Sequence, residues 1–395
     1  MLALDRQYAK IGPEVLATVE RVCASQHYIL GPEVEAFERE FAAFCGAEHA
    51  VGCASGTDAL WLALVAAGVH PGDRVLTTPF SFFASASSIV RAGAQPVFAD
   101  IDPHTFNLDP AQVEIILRRH ADRKLRALLP VHLYGQCADM DRFRQLAQEF
   151  DLALIEDAAQ AIGATWSESS LGASQHPSRA GSMGICAAFS FYPTKNLSAY
   201  GDAGAVTTNN PEMAEHMRRL RNHGSPRRYV HEEFGWNCRL DALQAAILRV
   251  KLPYVEEWNA ARRERAATYD RLFAESGLAR SQAASENRQS AIPDAFPIHL
   301  PLSAPQAHPV FHQYVIRAHR RDELREFLSA RKIGTEIYYP IPLHLQECFM
   351  YLGYGEGDFP QSERAAKEVL ALPMFPELTE EEQRQVVQSI ADFYC

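Results

Sequence analysis

Residues 189–204 read Phe-Ser-Phe-Tyr-Pro-Thr-Lys-Asn-Leu-Ser-Ala-Tyr-Gly-Asp-Ala-Gly. An apolar, strand-like run from Ile185 to Phe191 delivers one serine, Ser190, and then, past Pro193, one lysine, Lys195. Ala199, Gly201, Ala203 and Gly204 follow, small enough for backbone and ligand to approach closely. The ordinary reading of a lone lysine is a solvated surface charge. A lysine just beyond a buried strand is different, because crowded and poorly solvated surroundings strip its charge and leave an amine nucleophile. Lys195 is therefore expected to hold a cofactor aldehyde as a Schiff base, with the rest of the chain supplying the other contacts.

Outward from that stretch, strands and helices alternate. Strands are expected at Ala50–Cys53, Arg74–Thr78, Gln95–Ala99, Ala127–His132, Ala153–Glu156, Ala187–Phe191 and Gly204–Thr208. Helices are expected at 13–24, 32–45, 59–67, 83–92, 109–119, 139–150, 211–222 and 242–250. Seven short apolar strands separated by helices predict an α/β fold with a mostly parallel sheet covered on both faces. In the helix 32–45, Val34, Phe37, Phe41 and Phe44 recur at helical spacing, with Gly31-Pro32 as the start and Gly46 as the stop. After about residue 250 the pattern changes. A long charged helix, Val255–Phe273, leads to a strand Gln313–Ala318, a helix Arg321–Ala330, a strand-like Thr335–Tyr339 and helices near 361–370 and 379–393. This predicts a large domain, 13–250, and a smaller C-terminal α/β domain, 251–395 joined by 1–12. Residues 166–182 and 279–310, rich in Ser, Ala, Pro and His, read as long loops, and such loops are often functional.

Composition narrows the classes. The chain has 395 residues, 47% of them hydrophobic and 22% charged, with a formal net charge of −11. No basic run appears, which argues against nucleic acid as a partner. The apolar stretches are far shorter than the ~20 residues that span a bilayer, and MLALDRQYAK lacks the apolar core of a signal peptide. No membrane association and a cytoplasmic protein are expected. The eight cysteines include no CxxC pair and read as reduced thiols, and no metal site is expected.

Two further segments carry chemistry. Ser55-Gly56-Thr57-Asp58 lies between a strand and a helix, where free amides and hydroxyls form a phosphate site; Ser55 or Thr57 capping the helix explains the same residues. Asp157 and Gln160 stand at the end of a strand, where ligands of open parallel sheets collect. An anionic Asp157 can keep a pyridine nitrogen protonated and Gln160 can reach a ring oxygen; an N-cap role for Asp157 is the competing explanation. Phe82, after another strand, can stack on a flat ring or pack in the core.

The ordered set Ser55-Gly56-Thr57-Asp58-Ala59-Leu60, Glu156-Asp157-Ala158-Ala159-Gln160, Ser190-Phe191-Tyr192-Pro193-Thr194-Lys195-Asn196 and Gly235-Trp236-Asn237-Cys238-Arg239-Leu240 resembles the DegT/DnrJ/EryC1/StrS family of sugar aminotransferases. Leu30-Gly31-Pro32-Glu33, Val131–Gln136 and Tyr339–His344 extend the resemblance nearly end to end. It implies a fold-type-I enzyme dependent on pyridoxal 5'-phosphate, working as a homodimer with shared active sites. Carried over by position, Lys195 binds the aldehyde, Asp157 pairs with the ring nitrogen, Gln160 contacts the ring hydroxyl and Phe82 stacks. Gly56, Thr57 and Ser190 take the phosphate, with Asn237 reaching it from the other subunit. The reaction implied is transamination of a nucleoside-diphosphate keto sugar with glutamate as amino donor. His223, Arg227, Arg228 and Arg239 are candidates for the nucleotide, or solvated surface charges. Tyr338 and His344 are candidates for the sugar pocket. Phe311-His312-Gln313-Tyr314 and the Tyr338–His344 segment resemble members that aminate C-3 rather than C-4. A sugar dehydratase is the rival within the same chemistry, but its relatives replace the lysine with histidine. A non-catalytic regulator on the same fold is the rival outside it, and such a role needs none of these residues together.

Overall fold

The computed structural model describes residues 2–119, 124–168, 177–280 and 296–395. Its main sheet has seven strands in the spatial order His49–Cys53, Gly204–Thr208, Cys186–Ser190, Ala153–Asp157, Leu125–Leu128, Arg74–Thr77 and Gln95–Phe98. Only Gly204–Thr208 runs against the others, pairing antiparallel with both its neighbours. The remaining neighbour pairs are parallel. The α/β fold and its mostly parallel seven-stranded sheet agree with the sequence pattern.

Strand alternation decides which side chains face the ligand side. Phe189 and Phe191 stand on one face of the strand Cys186–Ser190 and bury completely against the helix Pro32–Cys45. Phe189 meets Phe41 edge-on at 5.1 Å between ring centroids, and Phe191 meets Phe37 edge-on at 5.4 Å. Each such burial stabilises by roughly 1.5–3 kcal/mol. Ser190, between them in sequence, has to face the other way. The Ala153–Asp157 strand makes the same split between Glu156 and Asp157.

A second core surrounds an antiparallel sheet ordered Ile298–His299, Tyr314–Ala318, Val369–Leu372. Tyr269 and Phe273 of the helix Val255–Glu275, Leu324 and Leu328 of Arg321–Ala330, and Ile390 of Glu380–Tyr394 bury around it. The described parts of the two long loops meet in a third small sheet, where Thr165–Trp166 lies between Ala307–His308 and Ser178–Arg179. The rest of those loops, 169–176 and 281–295, lies outside the described residues.

Three local expectations differ from the structure. The first helix spans Leu4–Ser25 with Pro13 inside it. Ile11 and Val15 pack with Ile247 and Trp258, and that burial outweighs the hydrogen bond a proline removes. Val369–Leu372 is a strand, because four apolar residues buried on both sides carry no helical period; the helix before it ends at Glu368. Thr335–Tyr339 makes a single bridge, Glu336 to Ala371, and then leaves the sheet edge. The Tyr134 hydroxyl donates to the Tyr338 carbonyl and Gln160 Nε2 donates to the Tyr339 hydroxyl at 3.2 Å, holding that segment over the main sheet.

Candidate active site

A cavity of about 750 Å³ opens where the main sheet meets the second core. Its sheet side carries Gly56, Thr57, Phe82, Ser85, Asp157, Gln160, Ser190 and Lys195, and its other side carries His312, Gln313, Glu336, Tyr338 and Tyr339. Residues far apart in sequence, from the Ser55 turn, the Asp157 strand end and the Lys195 segment, thus face one space.

The helix Gly56–Ala66 begins at this cavity. Ser55 is its N-cap and accepts from the Asp58 amide at 3.1 Å, while the Ser55 hydroxyl donates to Asp58 Oδ2 at 2.8 Å. Capping therefore accounts for Ser55 and leaves Gly56 and Thr57 lining the cavity. A Cβ on Gly56 would lie 2.6 Å from the Ser190 Cβ, and one on Gly204 would lie 2.3 Å from the Ser55 carbonyl oxygen. Only glycine lets the turn and the Ser190 strand close to this distance. The result is a small cradle of amide and hydroxyl groups at the positive end of an eleven-residue helix, suited to a phosphate.

Asp157 is almost fully buried. Ser85 donates to its Oδ2 at 2.7 Å and the Ala159 amide to its Oδ1 at 3.2 Å, and Ser81 backs Ser85 at 2.8 Å. Burial pushes the carboxyl above the usual range, partly offset by Ser85, Ala159 and the charge of Lys195. A cationic ring nitrogen would complete its pairing. Lys195 is pulled down to about 8 by burial, with Asp157 opposing. The Gln160 side chain is locked, because Oε1 accepts the Tyr134 amide at 2.7 Å and Nε2 faces Tyr339. Phe82 shows an open ring at the cavity edge, 58% exposed. The residues present fit a phosphorylated pyridine aldehyde at each of its polar ends.

Two buried histidines stiffen the site. The Ala138 amide donates to His132 Nδ1 at 3.1 Å, so His132 Nε2 carries the proton and donates to Glu156 Oε2 at 3.0 Å. Glu156 also accepts the amides of Gly181 at 3.0 Å, Met183 at 2.7 Å and Gly184 at 2.7 Å. Burial alone would raise its carboxyl, but His132 and these amides bring it below the usual range. Beside Lys195, Asn196 donates to Asn259 at 2.8 Å and accepts from His312 Nδ1 at 3.1 Å. Burial first, then the charges of Lys195 and Arg262, hold His312 neutral, well below the ordinary histidine range.

Other expected residues lie elsewhere. His344 does not line the cavity. Its ring is buried 4.7 Å from that of Phe359, with Nε2 3.1 Å from Glu363, because the Leu343–Leu345 turn points it into a separate aromatic cluster. Asn237, His223, Arg227 and Arg228 are exposed and outside the cavity of their own chain. Arg239 donates to Asn222 at 3.0 Å on the same surface. Tyr338 does line it, as do Ser85, Glu336 and Tyr339, none of which the sequence reading assigned a role. Strand alternation beside Asp157 was the available signal for Glu156; Ser85 and Glu336 had none.

A family model described as the DegT/DnrJ/EryC1/StrS aminotransferase family matches residues 9–391. A "Pleiotropic regulatory protein" of Geobacillus stearothermophilus is 49% identical over 100% of this chain and 98% of its own. A dTDP-3-amino-3,4,6-trideoxy-alpha-D-glucose transaminase of Streptomyces venezuelae is 42% identical over 99% of this chain and 95% of its own. Among solved structures, Streptomyces venezuelae DesV in complex with a ketimine intermediate superposes with a TM-score of 0.87 at 42% identity, covering 99% of this chain and 97% of that one. The chain belongs to the DegT/DnrJ/EryC1/StrS family of pyridoxal-phosphate-dependent sugar aminotransferases. Among the described residues no helix is long and apolar enough to cross a membrane.

Proposed function

We propose that this protein transfers an amino group from glutamate to C-3 of a keto sugar carried on a nucleoside diphosphate. The observation that carries the reading is the convergence of Lys195, Asp157 and the Gly56–Thr57–Ser190 cradle on one cavity. Similarity to a transaminase of a dTDP-3-amino sugar supports the position and the nucleotide carrier.

Pyridoxal phosphate, when bound, supplies an aldehyde on an electron-withdrawing ring. Gly56, Thr57 and Ser190 would hold its phosphate and Phe82 its ring face. Asp157, fixed by Ser85, would hold a proton on the ring nitrogen, and Gln160 would orient the ring through its hydroxyl. Lys195, with its amine at about 8, is poised near neutral pH both to attack a carbonyl as the free amine and to carry a proton on Nζ as general acid and base. The body 13–250 would bind the cofactor, and 251–395 with 1–12 would close the other wall.

Asn237 lies outside its own cavity on an exposed segment that also presents Phe234 and Trp236. A second copy packed there would bring Asn237 to the partner's phosphate cradle, and Arg239 or His223 to the nucleotide. Mixing a Lys195→Ala protein with an Asn237→Ala protein should then restore part of the activity that each lacks alone. No recovery despite demonstrated subunit exchange rules out the shared site. The reaction itself is tested by incubating the holoenzyme with nucleoside-diphosphate 3-amino and 4-amino hexoses and 2-oxoglutarate. Glutamate formation with the 3-amino compounds supports the proposal, and formation only with the 4-amino compounds moves the reaction to C-4.

A further inference from the structure

The wall opposite Lys195 has its own chemistry. Glu336 lines the cavity with its side chain 46% exposed. The Ile337 amide donates to Glu336 Oε1 at 3.0 Å, and Arg325 approaches the same oxygen from outside the cavity at 3.3 Å. Both contacts use one oxygen, and none of these partners faces Oε2. Gln313 lines the same wall, with its Oε1 closed off from solvent and without a hydrogen-bond partner. A buried acceptor left unpaired is costly unless a donor arrives. The accessible polar group of this wall is therefore the Glu336 carboxylate.

The charges point the same way. Lys195 is the one cationic side chain lining the cavity among the described residues, against Asp157, Asp202 and Glu336. In the proposed function Lys195 and Asp157 are engaged with the cofactor. The charged side chains that remain on this chain to meet the sugar, Asp202 and Glu336, are both anionic.

We propose that Glu336 sets the substrate class of the site: it takes a neutral hexose through a hydroxyl or amide N–H donor and rejects a hexuronate. This rests on the nucleotide-sugar aminotransferase reading. A carboxylate on the sugar would meet the like charge of Glu336, which Arg325 masks only in part from outside the cavity, whereas a hydroxyl satisfies Glu336. Like-charge juxtaposition is a recognised device against wrong partners.

The test compares a nucleoside-diphosphate 3-amino-hexose with the matching 3-amino-hexuronate. Two readouts are needed, the rate at which each consumes the visible band of the holoenzyme and the Kd of each by calorimetry without turnover. Wild type should favour the neutral sugar by roughly 100-fold in kcat/KM. Glu336→Gln keeps an acceptor and removes the charge, and should narrow the ratio about tenfold by improving the uronate. Arg325→Ala, a change on the outer surface, unmasks the charge and should widen it a few-fold. Equal handling of the two sugars by wild type overturns the proposal, as does a ratio that neither variant moves. If neither 3-amino sugar binds or consumes the band, the C-3 reading falls and this proposal with it.

Discussion

Lys195 and Lys251 both sit where water is scarce, and burial pulls both amines down to about 8. Their surroundings differ in one respect. Lys195 opens on the cavity and feels the charge of Asp157, whereas Lys251 is sealed at the end of the helix Ala242–Lys251. Lys251 Nζ donates to the Ser198 carbonyl at 2.9 Å and hydroxyl at 3.0 Å, and lies 4.4 Å from the centre of the Tyr200 ring. It pins the segment that follows Lys195. Glu156 and Asp157 repeat the contrast one residue apart. Both carboxylates are buried, but Glu156 is saturated by three amides and a histidine, and Asp157 faces the cavity. A shifted pKa alone thus does not identify a reactive group; access to a ligand space separates the chemical member of each pair from the structural one.

The largest expected effect separates the lysines. Lys195→Ala should abolish the visible band near ~410–430 nm and lower transamination at least ~10,000-fold. Lys251→Met should keep the band and remain within ~10-fold of wild-type activity. Bleaching in both variants would erase the distinction. For the carboxylates, Asp157→Asn should cost on the order of 100-fold or more in kcat with the melting temperature nearly held. Glu156→Gln should reverse the pattern, losing ~1–3 kcal/mol of stability by denaturant unfolding because amide donors are left short of acceptors. Its cost should shrink in acid: the folded carboxyl is held below its ordinary value, so its contribution is present above that value and lost as pH falls through the lowered one.

The smallest effect concerns pH and Lys251. Its folded value of about 8 lies below the unfolded 10.5, so the unfolded chain binds the proton more tightly. Stability contributed at this position should therefore rise as pH climbs from about 8 toward 10.5. Measured against Lys251→Met, wild type should gain ~1–3 kcal/mol over that window. A flat difference would mean that the Ser198 oxygens and the Tyr200 ring keep the ammonium charged in place.

Much of the sheet wall was legible because its signals are local. Apolar runs of strand length marked the seven strands, and Asp157, Ser190 and Lys195 sit at or just past strand ends, where alternation and chain direction fix their aim. The opposite wall was not. Glu336 to Tyr339 read as a strand, but hydrogen bonds from Tyr134 and Gln160, each distant in sequence, draw the segment over the cavity. His344 looked like a pocket residue for the same reason; its motif neighbours line the cavity, and a turn of three residues sends its ring into the core.

The sequence by itself determined the α/β class, the order of the strands along the chain and the residue types able to bind a phosphorylated ring. These depend on period and local backbone preference, which a short window contains. Only the tertiary structure decided that Ser55 caps its helix while Gly56 faces Ser190, that Glu156 is tied to the Gly181–Gly184 turn while Asp157 is held by Ser85, and that one buried lysine meets a cavity while the other meets a serine. Those outcomes depend on which distant segments come within hydrogen-bonding distance. That is a property of packing, and no local window of residues carries it.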